Sequence, residues 1–247
     1  MNKLIIIIFE YNDAVEISKT YSGCYILGNG FDDLIHTLTH TNEGHVIEGR
    51  SVTIEEFDEY RFVVVRLFLG GNGKDIIDSL NNLYEEFSYD KIVHPDLGEY
   101  EYYIQISSEY IIDEIDDIKR HISEITGHKY IISKYEYIYE WGASQFEINY
   151  IIGLASNLTV VLAKWIKNKL SKYTEANVKT FKVPNKVIDI IVRNAKVDKN
   201  NLVLVKYYKN EDGKEMYVFS TIYTKYYVQV DENNKITNFE SQKRVGD

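Results

Sequence analysis

The chain opens with "LIIIIF", a run of isoleucines stopped at Glu10, and short runs of the same kind recur along it, "RFVVVRLFL" being the longest. Such runs are too short to cross a bilayer, and β-branched and aromatic residues fit a pleated, half-buried surface. They therefore point to strands, with the first buried on both faces. The run carries one lysine before it and no small-residue cleavage site after it, so it does not read as a signal peptide. A single cysteine, Cys24, leaves no disulfide within the chain and no cysteine-based zinc site, which fits a reducing compartment. The expectation is a cytoplasmic protein of bacterial or phage origin. Its 22 tyrosines against two prolines reinforce the strand reading, and AT-rich coding explains the same enrichment.

Strands are expected at about 3–9, 14–19, 23–28, 33–40, 45–54 and 61–69, each bounded by turn residues. An amphipathic helix follows near 76–87, then a strand at 99–106. Ile111, Ile115, Ile118, Ile122 and Ile125 next recur at helical spacing, with Ser107 or Ser108 to cap the start and Gly127 to end it. Tyr135 to Trp141 alternate as a strand that "WGAS" breaks. The most apolar stretch, within 145–173, reads as one long helix with a polar stripe at Asn149, Gly153, Ser156 and Lys164, suited to a core, an oligomer interface or, as a segment 146–166, insertion into a membrane. "VIDIIVRNA" reads as a short helix or strand, and the remainder as an antiparallel meander with Asp-Gly and Asn-Asn turns.

Charge divides the chain. Residues 1–140 hold 27 Asp and Glu against 11 Lys and Arg, whereas 141–247 hold 11 against 17. The expected fold is α+β, with mixed, largely antiparallel sheets, two or three amphipathic helices and a long central apolar helix. Its portions are an acidic one over 1–140 and a basic helix-plus-meander one over 141–247, which could pack as one unit. The acidic half should repel nucleic acid. The lysines of the second half, from Lys164 to Lys196, suit a solvated face, docking on the chain's own acids or an anionic partner.

Two glycine loops invite a phosphate reading. "GNG" at 28–30 lacks the third glycine of a dinucleotide fingerprint, Asp33 standing there, and Asn-Gly is a strong hairpin signal. A hairpin is expected. "ILGNGFD", Ile26 to Asp32, resembles the opening motif of the AbiH phage abortive-infection family over seven residues; the Gly-Leu-Pro that follows there is absent, and no residue role is carried over. "GGNGKD" sits between a strand and a helix, so Gly70, Gly71, Asn72, Gly73 and Lys74 are the candidate ligand-binding residues, although Phe68 and Asp75 depart from a P-loop.

His36 and His40 on a strand would lie about 13 Å apart, too far to share a metal, and only a helix would join them. Glu109, Asp113, Asp116 and Asp117 are the candidate interaction surface. No metal site and no cofactor is nominated. The leading expectation is a non-catalytic binding or inhibitory protein whose acidic, Tyr-rich surface meets a basic protein. The alternatives are a nucleotide- or phosphate-handling enzyme of a bacterial-defence type using Gly70–Lys74, with Asp32 or Asp33 placing a metal, and a membrane-acting effector.

Overall fold

The computed structural model describes residues 2–12, 16–28, 30–41, 43, 45, 47–57, 60–68, 70–88, 102–109, 112–127, 130–139, 147–154, 157–221 and 223–244. The described part is mixed α+β, its strands mostly antiparallel. It divides into two units, Met1–Val93 with Glu136–Glu147, and His94–Tyr135 with Ile148–Asp247.

In the first unit β1 (Asn2–Tyr11) pairs antiparallel with β2 (Ile17–Leu27) and parallel with β4 (Tyr60–Leu67), which pairs antiparallel with β3 (Arg50–Phe57). The two-residue β5 (Glu85–Glu86) joins the free edge of β2, giving the order β5-β2-β1-β4-β3. Helix α1 (Phe31–Thr39) links β2 to β3, and α2 (Gly73–Leu83) links β4 to β5. Leu4, Ile6 and Ile8 pack with Leu34, Leu38 and Leu80 of the helices, while Ile5 and Ile7 are equally buried on the opposite face. Burial on both faces is why the opening run is continuous rather than alternating. Each such side chain is worth about 1.5–3 kcal/mol of transfer free energy.

The second unit carries strands in the order β7-β8-β6-β9: β7 (Ile131–Tyr139, in this unit as far as Tyr135), β8 (Glu147–Leu154, in this unit from Ile148), β6 (Tyr102–Ser108) and β9 (Asn177–Lys182), with β6 antiparallel to both its neighbours. Helix α3 (Ile115–Thr126) buries Ile118 and Ile122, and α4 (Thr159–Lys169) lies on β6 and β9. Val187 and Ile191 of α5 (Asn185–Ala195) pack with Tyr103 and Ile151 of the sheet and with Leu204, Tyr217, Phe219 and Val228 of a second sheet. That sheet is the expected meander, in the order β10 (Val203–Lys209), β11 (Glu215–Ser220), β12 (Thr224–Val230), β13 (Ile236–Lys243). Its turns sit at Asp212-Gly213 and Asn233-Asn234, as the sequence indicates.

Several expectations are corrected. The long central apolar helix over 145–173 does not form: Glu147–Leu154 is strand β8, residues 157–158 are a turn, and only Thr159–Lys169 is α-helix. Ile148, Tyr150, Ile151 and Ile152 are buried, so both faces of β8 are apolar and its pattern cannot be told from a buried helix. Among the described residues no helix is long and apolar enough to cross a membrane. The oligomer or bilayer contact envisaged for that helix has no such element to use.

The strand expected at 33–40 is helix α1, and "GNG" therefore opens a helix instead of a hairpin. Phe31, Leu34 and Leu38 bury one face at helical spacing, with Ile35 packed beside them, which outweighs the β propensity of the threonines. Helix α3 begins after Glu114, six or seven residues later than expected, because Ser107 and Ser108 close β6. Its end is as expected: Gly127 takes the left-handed conformation, φ 62°, past the last turn. Strand β9 went unanticipated. Ile111 and the "WGAS" break lie outside the described residues.

Candidate functional site

The two glycine loops lie at opposite ends of the first unit's sheet. Leu27, before the first loop, pairs with Asn2, and Leu67, before the second, pairs with Glu10. Eight residues of β1 separate these pairs, about 26 Å at about 3.3 Å per residue. Asp32 and Asp33 therefore do not converge with Gly70–Lys74 on a single ligand.

At the second loop the chain fills its own anion seat. The Gly73 amide donates to Glu10 Oε1 at 2.6 Å, and the Lys74 amide to Asn72 Oδ1 at 3.1 Å, satisfying two of the donors a helix leaves open at its start. The Glu10 carboxylate is mostly buried and lies 3.9 Å from Lys19 Nζ. Gly73 is required by packing, since a Cβ there would stand 2.8 Å from the Tyr21 ring and 3.0 Å from Ile8. A phosphate at this helix start would have to displace Glu10.

Helix α1 brings His36 and His40 together, correcting the strand spacing expected for them. Their rings stack with centroids 4.5 Å apart and planes 14° apart, and His40 Nδ1 lies 2.7 Å from Thr39 Oγ1. Parallel stacked rings do not aim two nitrogens at one point. Among the described residues no group of three His, Cys, Asp or Glu side chains could hold a metal ion.

Of the acids proposed as an interaction surface, Glu109, Asp113 and Asp116 are exposed. Asp117 accepts from Arg120 at 2.6 Å and lies 3.8 Å from Lys169. Glu114 is ion-paired with Lys172, which holds its carboxyl below the usual range and pushes the lysine up. The Asp113 amide donates to the Tyr173 hydroxyl at 3.0 Å, and His121 stacks on Trp165 at 4.0 Å. Two lysines of the basic cluster thus dock on the chain's own acids, whereas Lys164 and Lys167 are exposed on α4.

The first unit also pairs some acids, Glu10 with Lys19 and Glu56 with Arg61, but its charge is far more one-sided. It holds 19 Asp and Glu against 7 Lys and Arg, net −12, while the second holds 19 against 21, net +2. On α1, α2 and β5 the exposed carboxylates are Asp32, Asp33, Asp75, Asp78, Glu85 and Glu86, and Lys74 is the one lysine or arginine there. Cys24 and Tyr25 register this field. Burial first, then the charge of Glu86, pushes the Cys24 thiol up to about 11 and the Tyr25 hydroxyl to about 12, with Asp78 adding to the latter. Tyr25 itself is core, its hydroxyl 2.5 Å from the Asn81 side chain, and Tyr21 and Tyr84 are half-buried.

Sequence reasoning missed Glu10 and Glu86. The signal available for Glu10 was its place at the end of the apolar run, where a strand end and a helix start can meet. In the second unit a cavity beside Tyr103, Ile151, Gly153 and Leu204 measures about 10 Å³, room for no more than a water molecule. No protein-family model matches the chain, and neither a curated protein nor a solved structure matches it.

Proposed function

We propose that the protein is a binding or inhibitory protein that engages a basic protein partner through the carboxylate-rich surface of its first unit. The observation that carries the reading is the set of six exposed carboxylates on α1, α2 and β5 against the single Lys74. Like charges on one surface raise local potential, attract a cationic partner and quicken encounter. The tyrosines contribute less to this surface than composition suggests, because Tyr25 and Tyr60 are buried and Tyr21 and Tyr84 are only partly accessible. The acids of α3 are the weaker candidate, since Lys169 and Lys172 offset them locally.

The test is titration with a short oligolysine probe at low salt. The double variant E85K/E86K is expected to weaken binding about tenfold, whereas D113K/D116K on α3 leaves it within twofold; a tenfold loss corresponds to about 1.4 kcal/mol. Equal losses from both variants would show that net charge alone attracts the probe, and the proposed surface would fall.

A further inference from the structure

We infer that the free edge of β2, from Ile17 to Gly23, receives an extended segment of the basic partner as an added antiparallel strand. The inference rests on the carboxylate-rich surface proposed above and specifies how that surface would be read.

β2 is eleven residues long, but β5 covers only Tyr25 and Ile26 of its outer edge. The Phe87 amide then donates to the Cys24 carbonyl at 3.0 Å, extending this short ladder by one bond. Among the described residues no strand follows it: β2 has β1 on one side and β5 on the other. The edge beyond is solvent-accessible, with Ile17 48% exposed and Ser18, Lys19, Thr20 and Ser22 exposed beside it. A row of unpaired amides and carbonyls is a template for another strand.

The geometry fixes which groups are offered. In a strand the N–H and C=O of one residue point to the same side, and successive residues alternate. The Cys24 carbonyl faces outward to Phe87, so Ser22 and Thr20 also face outward, while Gly23 and Tyr21 turn toward β1. Seven residues at about 3.3 Å give at most about 23 Å, the length of a short recognition segment, with the regular pleat running from Lys19 to Gly23 because the register shifts between Ile17 and Lys19. β5 shows the direction the edge accepts, which is antiparallel.

Charge selects the occupant. Glu85 and Glu86 stand at one end of the open edge with Asp78 behind them, and Glu16 is exposed at the other. Lysine on an edge strand commonly deters pairing. Here the Lys19 ammonium lies 3.9 Å from the Glu10 carboxylate, which offsets its charge. A segment with a cation at each end and β-branched residues between fits this arrangement, its main chain supplying affinity and its ends supplying preference.

The probe is the peptide Lys-Val-Thr-Val-Thr-Val-Lys, capped at both ends, compared with a twin whose central valine is proline. The valine peptide is expected to bind the intact protein at least tenfold more tightly, and to slow hydrogen exchange at the Thr20 and Ser22 amides. Thr20→Pro removes an outward N–H, a change edge strands tolerate, and should erase the difference between the peptides; the exchange measurement on the unaltered protein gives the same answer should that variant fail to fold. If both peptides bind equally and Thr20 and Ser22 remain unprotected, strand addition is overturned while the acidic surface stands. If neither binds at low salt, both readings fall.

Discussion

Glu10 shows how much one side chain can organise. It ends the first apolar run, accepts from the Gly73 amide at the start of α2 and lies near Lys19. Glu10→Ala would leave that amide without its acceptor inside a packed junction, and an unsatisfied buried donor costs about 1–3 kcal/mol. Glu10→Gln keeps an acceptor and should cost less than half as much. Urea unfolding checks both, the midpoint shifting while the slope stays constant. Cys24 offers a second test at this scale. With its thiol pushed up to about 11, the thiolate fraction at pH 8 is about a thousandth, whereas an ordinary thiol near 8.5 is about a quarter ionised. Because the thiolate is the reactive form, this difference in population alone should slow its reaction with a disulfide reagent about 250-fold relative to free cysteine. Glu86→Gln should quicken it, and no change would show that burial alone sets the thiol.

Among elements, the tie between α3 and the segment that follows α4 is the one that pH can probe. Lys172 holds the Glu114 carboxyl below its ordinary range, chiefly through their hydrogen bond. A carboxyl depressed by folding stabilises above its unfolded value, near 4.3, and loses that contribution as pH falls through the folded one. Thermal midpoints of the unaltered protein and Glu114→Gln should therefore differ at pH 7 and draw together below pH 4. A gap that persisted in acid would exclude the ion pair as its source. The C-terminal meander and the Gly127 cap were legible in the sequence because each rests on local chemistry: alternation, Asp-Gly and Asn-Asn turns, one left-handed position. β8 was not, since Ile148 to Leu154 is apolar on both faces and helix and strand look alike there. α1 was misread because Thr37 and Thr39 suggested a strand while Phe31, which completes its buried face with Leu34 and Leu38, lay outside the segment. For the site, acids could be counted from the sequence. Which ones share a surface, and that Glu10 closes the loop at Gly73, depended on the parallel pairing of β1 with β4, a contact some 57 residues apart in the chain.

At the scale of the molecule the decisive quantity is how charge is distributed, since a net −10 spread evenly would be unremarkable for 247 residues. The first unit carries net −12 and the second net +2. The exposed carboxylates of α1, α2 and β5 have few cations nearby, so at low ionic strength they repel one another and weaken the folded unit. Salt shortens the reach of that repulsion, from about 30 Å at 0.01 M to about 10 Å at 0.1 M. The thermal midpoint should therefore rise between 10 and 150 mM potassium chloride, by about 2–4 °C if about 1 kcal/mol of repulsion is relieved in a chain of this size. The ion pairs of α3 with Lys169 and Lys172 oppose this change, but they are partly exposed, and such pairs are worth little. E85K/E86K should flatten the response by removing the densest part of the repulsion. A midpoint that fell with salt would mean that attraction between neighbouring charges outweighs repulsion, and the first unit would then lack the uncompensated negative surface on which a basic partner is proposed to dock.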